Sequence, residues 1–363
     1  MKVFCFGIGE TGSKLVDALT EFEQESPAEF IVDGVVCSTT RADFQSLNTI
    51  PSSKQIMFGV GETAADATQA ADLAEEDHRQ LLRGTDDAPV SKADAFLVCA
   101  GLGEVTSGAA PVLAKHLKRI HDQPVYGVGV LPAPDDSHRA HTARRTIRKF
   151  VAATDHVIAA DAETWGAGPN DAAGPDDAVI TELTQRLGTL CTAGEGGDGV
   201  AESVVDASEI INTLRGGGVA TLGYATSELP EPESSGGIVQ TAKRLLSSDD
   251  PDPVDDLDAQ NRITTQTREA LLGRLTLPCD VASTSRGLVV VSGPPEWLNR
   301  SAIEQSRSWV EDETECLEIR GGDYPRPSAR HVGVLVLLGG VSPAARLEAL
   351  RAASDGDEQP PVE

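Results

Sequence analysis

Gly7-Ile8-Gly9-Glu10-Thr11-Gly12 lies directly behind a strand-like run, Lys2 to Phe6, and directly ahead of an amphipathic helical pattern from Ser13 to Phe22. A second glycine-rich turn, Gly101-Leu102-Gly103-Glu104-Val105-Thr106-Ser107-Gly108, has the same placement behind Ala95 to Ala100 and ahead of a helical pattern from Pro111. Where a strand turns at once into a helix, unpaired N–H groups and the positive end of the helix dipole face outward and favour an anion. Two such turns demand a mainly parallel α/β sheet with the ends of neighbouring strands on one crevice.

The rest of the first half agrees with that demand. Further strand candidates are Phe30 to Cys37, Pro124 to Leu131 and His156 to Ala160, and helical patterns span Asp66 to Arg83, Pro111 to Ile120 and Thr142 to Ala153. Strands alternating with helices are the mark of βαβ units. A helix from about Asp176 to Leu190, with Val179, Leu183, Leu187 and Leu190 on one face, then carries the chain onward. The second half reads differently. Ser227 to Gly237 and Ser247 to Leu257 are rich in Pro, Ser and acids and predict loops flanking a short helix; apolar runs return at Gly287 to Val291 and His331 to Leu338, separated by a helix over Ser301 to Thr314. With 363 residues the expected organisation is a parallel-sheet domain with its long helix over 1–192, a smaller α+β domain over 193–350 and a disordered acidic tail over 351–363.

Charge narrows the function. Fifty-seven acids against 30 cations leave a net charge of −27, which repels nucleic-acid backbones and anionic lipid. Of the cations only 8 are Lys, and an acid-loaded, Lys-poor surface suits solution in concentrated salt. The longest apolar run, Val332 to Val341, contains three Gly and is half of what a membrane span needs, and the N-terminus lacks a leader pattern, so the expected location is the cytoplasm. The six cysteines form no Cys-x-x-Cys pair and read as reduced core residues. His138 and His141 have helical spacing but no third ligand, so no metal site is assigned.

Taken alone, the first turn also fits a dinucleotide-binding enzyme, yet the second strand ends in Val36-Cys37-Ser38 without a terminal ribose-binding acid. Gly12-Ser13-Lys14 fails the P-loop spacing. Asp206 and Glu209, three apart at a helix start, share a face and could polarise one water. Equally, Ser203-x-x-Asp206 is a capping-box spacing, and first-turn acids complement a helix dipole whatever the function.

The two glycine turns, the long helix and Asp206-x-x-Glu209 together resemble the tubulin/FtsZ superfamily. Longer phrases resemble its haloarchaeal branch, the CetZ family: Gly108 to Ile120 (GAAPVLAKHLKRI), Ala201 to Tyr224 (AESVVDASEIINTLRGGGVATLGY), Val290 to Glu296 (VVSGPPE) and Arg320 to Pro327 (RGGDYPRP). The likeness runs from the first strand to about Ala353. It implies a Rossmann-like GTPase domain, a central helix and a smaller α+β domain whose acidic segment completes the GTPase site of the next subunit in a filament, with a role in cell shape. By this likeness Gly7, Gly9, Glu10, Thr11, Gly12, Ser13 and Lys14, with Gly101, Gly103, Glu104, Val105, Thr106, Ser107 and Gly108, would hold GTP or GDP phosphates. Ala162 and Ile180 would stand at base-reading positions, and Asp206 and Glu209 would act in trans on a neighbour's nucleotide. The implied partner is a second copy or a CetZ/FtsZ-like relative.

The departures fall on the nucleotide. The superfamily's Gly-Gly-Gly-Thr-Gly-Ser/Thr-Gly loop is replaced by Gly103-Glu104-Val105-Thr106-Ser107-Gly108, where Val105 resists a positive φ and Glu104 places an anion where phosphates would sit. Like charges about 4 Å apart cost roughly 4 kcal/mol at an effective dielectric of 20. The Glu104 carboxylate could instead hold Mg²⁺ or swing outward. The loop Gly59 to Asp66 is contracted and acidic, Ala133 to His141 lacks the usual glycines, and Ile180 cannot read guanine by hydrogen bonds. Three readings follow: a GTP-linked filament protein with weak or partner-dependent GTPase activity, a nucleotide-degenerate paralogue that joins or regulates filaments of a GTP-binding relative, and, from the first turn alone, a Rossmann-type NAD enzyme.

Overall fold

A computed structural model describes residues 1–59, 63–86, 88–133, 136–165, 175–195, 205–230 and 256–355. Ten strands form one sheet in the order β3-β2-β1-β4-β5-β6-β7-β10-β8-β9. They are β1 (Val3–Ile8), β2 (Ile31–Ser38), β3 (Gln55–Met57), β4 (Ala95–Gly101), β5 (Val125–Leu131), β6 (His156–Asp161), β7 (Val219–Glu228), β8 (Arg286–Gly293), β9 (Ile319–Pro325) and β10 (His331–Gly339). From β3 to β7 every pairing is parallel; β10 runs antiparallel to both β7 and β8, and β9 returns parallel to β8. The apolar runs Val3 to Phe6 and Ala95 to Ala100 are adjacent in this sheet, as the alternation of runs predicts.

The helices are α1 (Gly9–Gln24), α2 (Ala67–Glu76), α3 (His78–Leu82), α4 (Ala109–Ile120), α5 (Ser137–Ala153), α6 (Pro175–Ala193), α7 (Ala207–Thr213), α8 (Asp256–Leu272), α9 (Arg300–Thr314) and α10 (Ala344–Asp355). Strand β1 is buried on both faces, which is why its run is unbroken. Val3 and Cys5 meet Leu15, Val16 and Leu19 of α1 and Leu183, Leu187 and Leu190 of α6 in one cluster, while Phe4, Phe6 and Ile8 join α2, α4 and α5 side chains in another. A third cluster lies between the far strands and α8 and α9.

Several expectations are corrected. The pattern from Asp66 to Arg83 is two helices, because Asp77 leaves helical geometry and its carboxylate accepts the Gly59 N–H at 2.8 Å. Ser227 and Glu228 end β7 rather than open a loop, and Leu257 lies in α8. Residues 351–355, assigned to a disordered tail, finish α10. The remainder of that tail (356–363), most of both acidic loops and the helix between them (231–255), Ser203 and the rest of 196–204, and 60–62 and 134–135 of the shortened loops lie outside the described residues.

The β6–β7 seam is short. Only Val157 with Val219 and Ile158 with Ala220 pair across it. Beyond them Thr276 fills the gap, its hydroxyl donating to the Ala159 carbonyl at 2.9 Å and accepting from Leu222 N at 3.0 Å, while its own N–H and carbonyl bond Leu222 and Asp161 N.

Candidate functional site

Strands β1 and β4 run in register, with Ile8 opposite Ala100, so the two glycine-rich turns leave the sheet side by side. They do so where the strand order departs in opposite directions from β1, the usual crevice of an open parallel sheet. The glycines have different duties. Gly9 takes φ +72°, a left-handed geometry that glycine adopts without strain. At Gly12 a Cβ would fall 2.2 Å from the Cys99 carbonyl oxygen, so this glycine lets α1 press onto β4.

The N-cap position of α1 is Ile8, which has no side chain able to satisfy the first-turn amides. Glu104 satisfies two of them from the other turn. Its Oε2 accepts the Glu10 N–H at 3.1 Å, its Oε1 accepts the Thr11 N–H at 3.0 Å, and the Thr11 hydroxyl donates to the same oxygen. The Ser107 hydroxyl fixes the loop behind it, bonded to the carbonyls of Leu102 at 3.1 Å and Glu104 at 2.6 Å. Burial pushes the Glu104 carboxyl up to about 7; the Thr11 hydrogen bonds pull it down, and the Asp43 and Glu10 carboxylates add to the rise.

The second turn is not built as a nest of left-handed glycines. Val105–Gly108 is a 3-10 turn leading into α4, and none of residues 101 to 108 has a positive φ. The expected steric objection to Val105 therefore does not arise. Gly108 is needed for contact, since a Cβ there would lie 1.8 Å from the Ala67 carbonyl oxygen at the start of α2. Thr106 and Ser107 are buried beside it.

Lys14 is drawn from the turn into ion pairs with Glu10 at 2.9 Å and with Asp177 of α6 at 3.3 Å. The Ser13 hydroxyl is buried, and among the described residues it has no hydrogen-bond partner. Ala162 and Ile180, expected at the base, pack into the apolar core with Trp165 and Val179 and present no polar group. Among the described residues no three His, Cys, Asp or Glu side chains converge as a metal-binding group, and the Glu104 oxygens face N–H and O–H donors.

Two charged groups escape notice in the sequence. Asp17 of α1 is buried and accepts N–H bonds from Asn48, Thr49 and Ile50 at 2.7 to 2.9 Å, holding the segment after β2. Asp161, the last residue of β6, takes a two-pronged grip from Arg346 of α10, at 2.7 and 2.9 Å, and the same guanidinium donates to the Pro132 carbonyl at 2.5 Å.

The acidic pair lies elsewhere, on α7, which packs toward β8 and β10. Asp206 is the N-cap: its Oδ1 accepts the Glu209 N–H at 3.0 Å and the Ser208 hydroxyl at 2.6 Å. These bonds hold its pKa below the usual carboxylate value. Glu209 is partly exposed and lies 2.7 Å from Arg320 Nε of β9, an ion pair without hydrogen-bond alignment. The cap that the spacing suggested for Ser203 is thus supplied by Asp206 itself.

Residues 2–167 match the family model for the Tubulin/FtsZ family, GTPase domain, and residues 174–355 match that for the tubulin-like CetZ, C-terminal domain. The tubulin-like protein CetZ5 of Haloferax volcanii is 54% identical over 99% of this chain and 93% of its own length. The chain belongs to the CetZ family of tubulin-like proteins. CetZ1 of the same organism is 42% identical over 97% of this chain and 91% of its own. The GDP-bound CetZ1 monomer superposes with a TM-score of 0.84 at 38% identity, and the GTPγS-bound CetZ2 protofilament with 0.84 at 32%, each covering 99% of this chain and 100% of the other. In this CetZ-family chain the α1 amides suit an anion, but Glu104 already holds them, so a nucleotide phosphate does not fit beside that carboxylate.

Proposed function

We propose that this CetZ-family protein is a subunit of a guanine-nucleotide-linked cytoskeletal filament that acts in cell shape. The observation that carries the reading is its end-to-end likeness to a CetZ2 protofilament containing GTPγS. The crevice above β1 and β4 would face the nucleotide, and Asp206 and Glu209 on α7 would face that of the adjoining subunit. Glu104 favours a second reading: with its phosphate seat taken, the chain joins filaments of a GTP-binding relative and leaves turnover to that relative.

Sedimentation and negative-stain microscopy at high KCl separate the two. Filaments from the isolated protein with GTPγS, absent without it, support the first; incorporation only into filaments of a GTP-binding CetZ supports the second. Failure to sediment alone or with such a relative would sink both.

A further inference from the structure

We propose that Glu104 is a built-in rival of a nucleotide's phosphate: its carboxylate sits in the anion seat at the start of α1, so a nucleoside di- or triphosphate enters only when that carboxylate is neutralised or displaced. The inference rests on the nucleotide-linked reading above and names the residue that decides whether this chain accepts the ligand.

The seat is defined from three sides. Glu10 N–H, Thr11 N–H and the Thr11 hydroxyl all point at the two Glu104 oxygens, the donor pattern that a phosphate would need. The space is shaped to the carboxylate as well: a Cβ on Gly9 would fall 2.4 Å from Oε2 and one on Gly101 2.6 Å from Oε1, so side chains on either turn would evict it. Among the described residues, the neighbouring charges that shift the Glu104 carboxyl are acidic. Glu10 of α1 and Asp43 of the short turn after β2 both raise the Glu104 pKa, while Lys14 is shared between Glu10 and Asp177. On the α5 side the neighbour is Arg139, whose backbone and Cβ border Gly103. A phosphate arriving beside an ionised Glu104 meets like charge at contact distance, worth up to about three decades of affinity. Neutralisation is within reach near neutral pH, because burial places the carboxyl at about 7.

Titration calorimetry on the full-length protein at high KCl tests this with two probes, GDP and inorganic pyrophosphate, at pH 6 and pH 8. Glu104→Ala empties the seat, and Glu104→Gln keeps its shape without the charge. At pH 8 the Ala variant is expected to bind pyrophosphate about 10²- to 10³-fold more tightly than the parent. The ratio of variant to parent affinity should shrink about tenfold at pH 6, a comparison in which the probe's own titration cancels. The Gln variant should fall between them and show no such pH dependence relative to Ala. Equal pyrophosphate affinities in parent and Ala variant, including no binding by either, would overturn the proposal, as would tighter binding by the parent. If the Ala variant gains pyrophosphate but gains nothing further from GDP, Glu104 is the rival proposed and the guanine-nucleotide reading falls instead.

Discussion

Asp17 carries more of this fold than its place in an amphipathic helix suggests. Burial alone would raise its pKa, yet the bonds from Asn48, Thr49 and Ile50 outweigh it and hold the carboxyl below its ordinary value. Asp17→Ala would leave three N–H groups without their acceptor, an expected loss of about 3 kcal/mol in urea unfolding at pH 7. A depressed folded pKa means the contribution is present above about pH 4 and fades as pH falls through the folded value. The gap between parent and variant should therefore narrow in acid; a gap independent of pH would show that ionisation of Asp17 is irrelevant. Legibility at this scale was uneven. The sequence shows that Glu104 brings an anion to the phosphate turn, but its grip on the Glu10 and Thr11 amides depends on two loops 94 residues apart meeting, which no local pattern records. Ala162 and Ile180 were legible as groups unable to read a base, and their burial in the core follows from the same apolarity.

Element boundaries show where local rules succeed. Strands β1, β4, β5 and β6 are buried along their whole length because both faces are covered, β2 only over its second half, and the sequence located each within a residue or two. Strand β9 was missed: Ile319–Pro325 carries two glycines, an Arg and an Asp, and its strand state comes from pairing with β8. Helix α8 was missed because its acidic start merges with a Pro-rich acidic stretch. At α7 the two acids separate by experiment. Asp206→Ala removes the cap and should cost about 1 kcal/mol, whereas Glu209→Ala breaks a partly exposed ion pair worth under about 1 kcal/mol. Thermal melts should thus show the larger drop for Asp206. If Glu209 acts on a neighbour's nucleotide, its replacement should also lower GTPase turnover of mixed filaments by about 10²- to 10⁴-fold while Tm barely moves. Unchanged turnover would leave Glu209 as the partner of Arg320 and nothing more.

Across the molecule, the parallel half and the mixed half share one sheet: β7, the first strand after residue 200, still runs parallel to β6, and direction changes only where β10 pairs with β7, so the change of character near residue 200 is not a break in hydrogen bonding. Arg346 and Asp161 tie the halves a second time, with side chains 5% and 2% exposed. Arg346→Ala leaves a buried carboxylate without its counter-ion and should cost about 3 to 5 kcal/mol, whereas Arg346→Met combined with Asp161→Leu should recover most of that loss. Denaturant unfolding of the single and double variants decides this; equal stabilities would mean that the pair is not coupled.

The two-rung seam between β6 and β7 also has a mechanical meaning. Ladders of six and nine pairs, those on either side, resist torsion, but two pairs led in by Gly216, Gly217 and Gly218, all at positive φ, form a compliant pivot. Thr276 and Arg346 brace that pivot, and both grip Asp161 or its immediate neighbours at the end of β6. A twist between the two parts of the sheet would therefore load the end of β6, from Ala159 to Asp161, rather than the ladder itself.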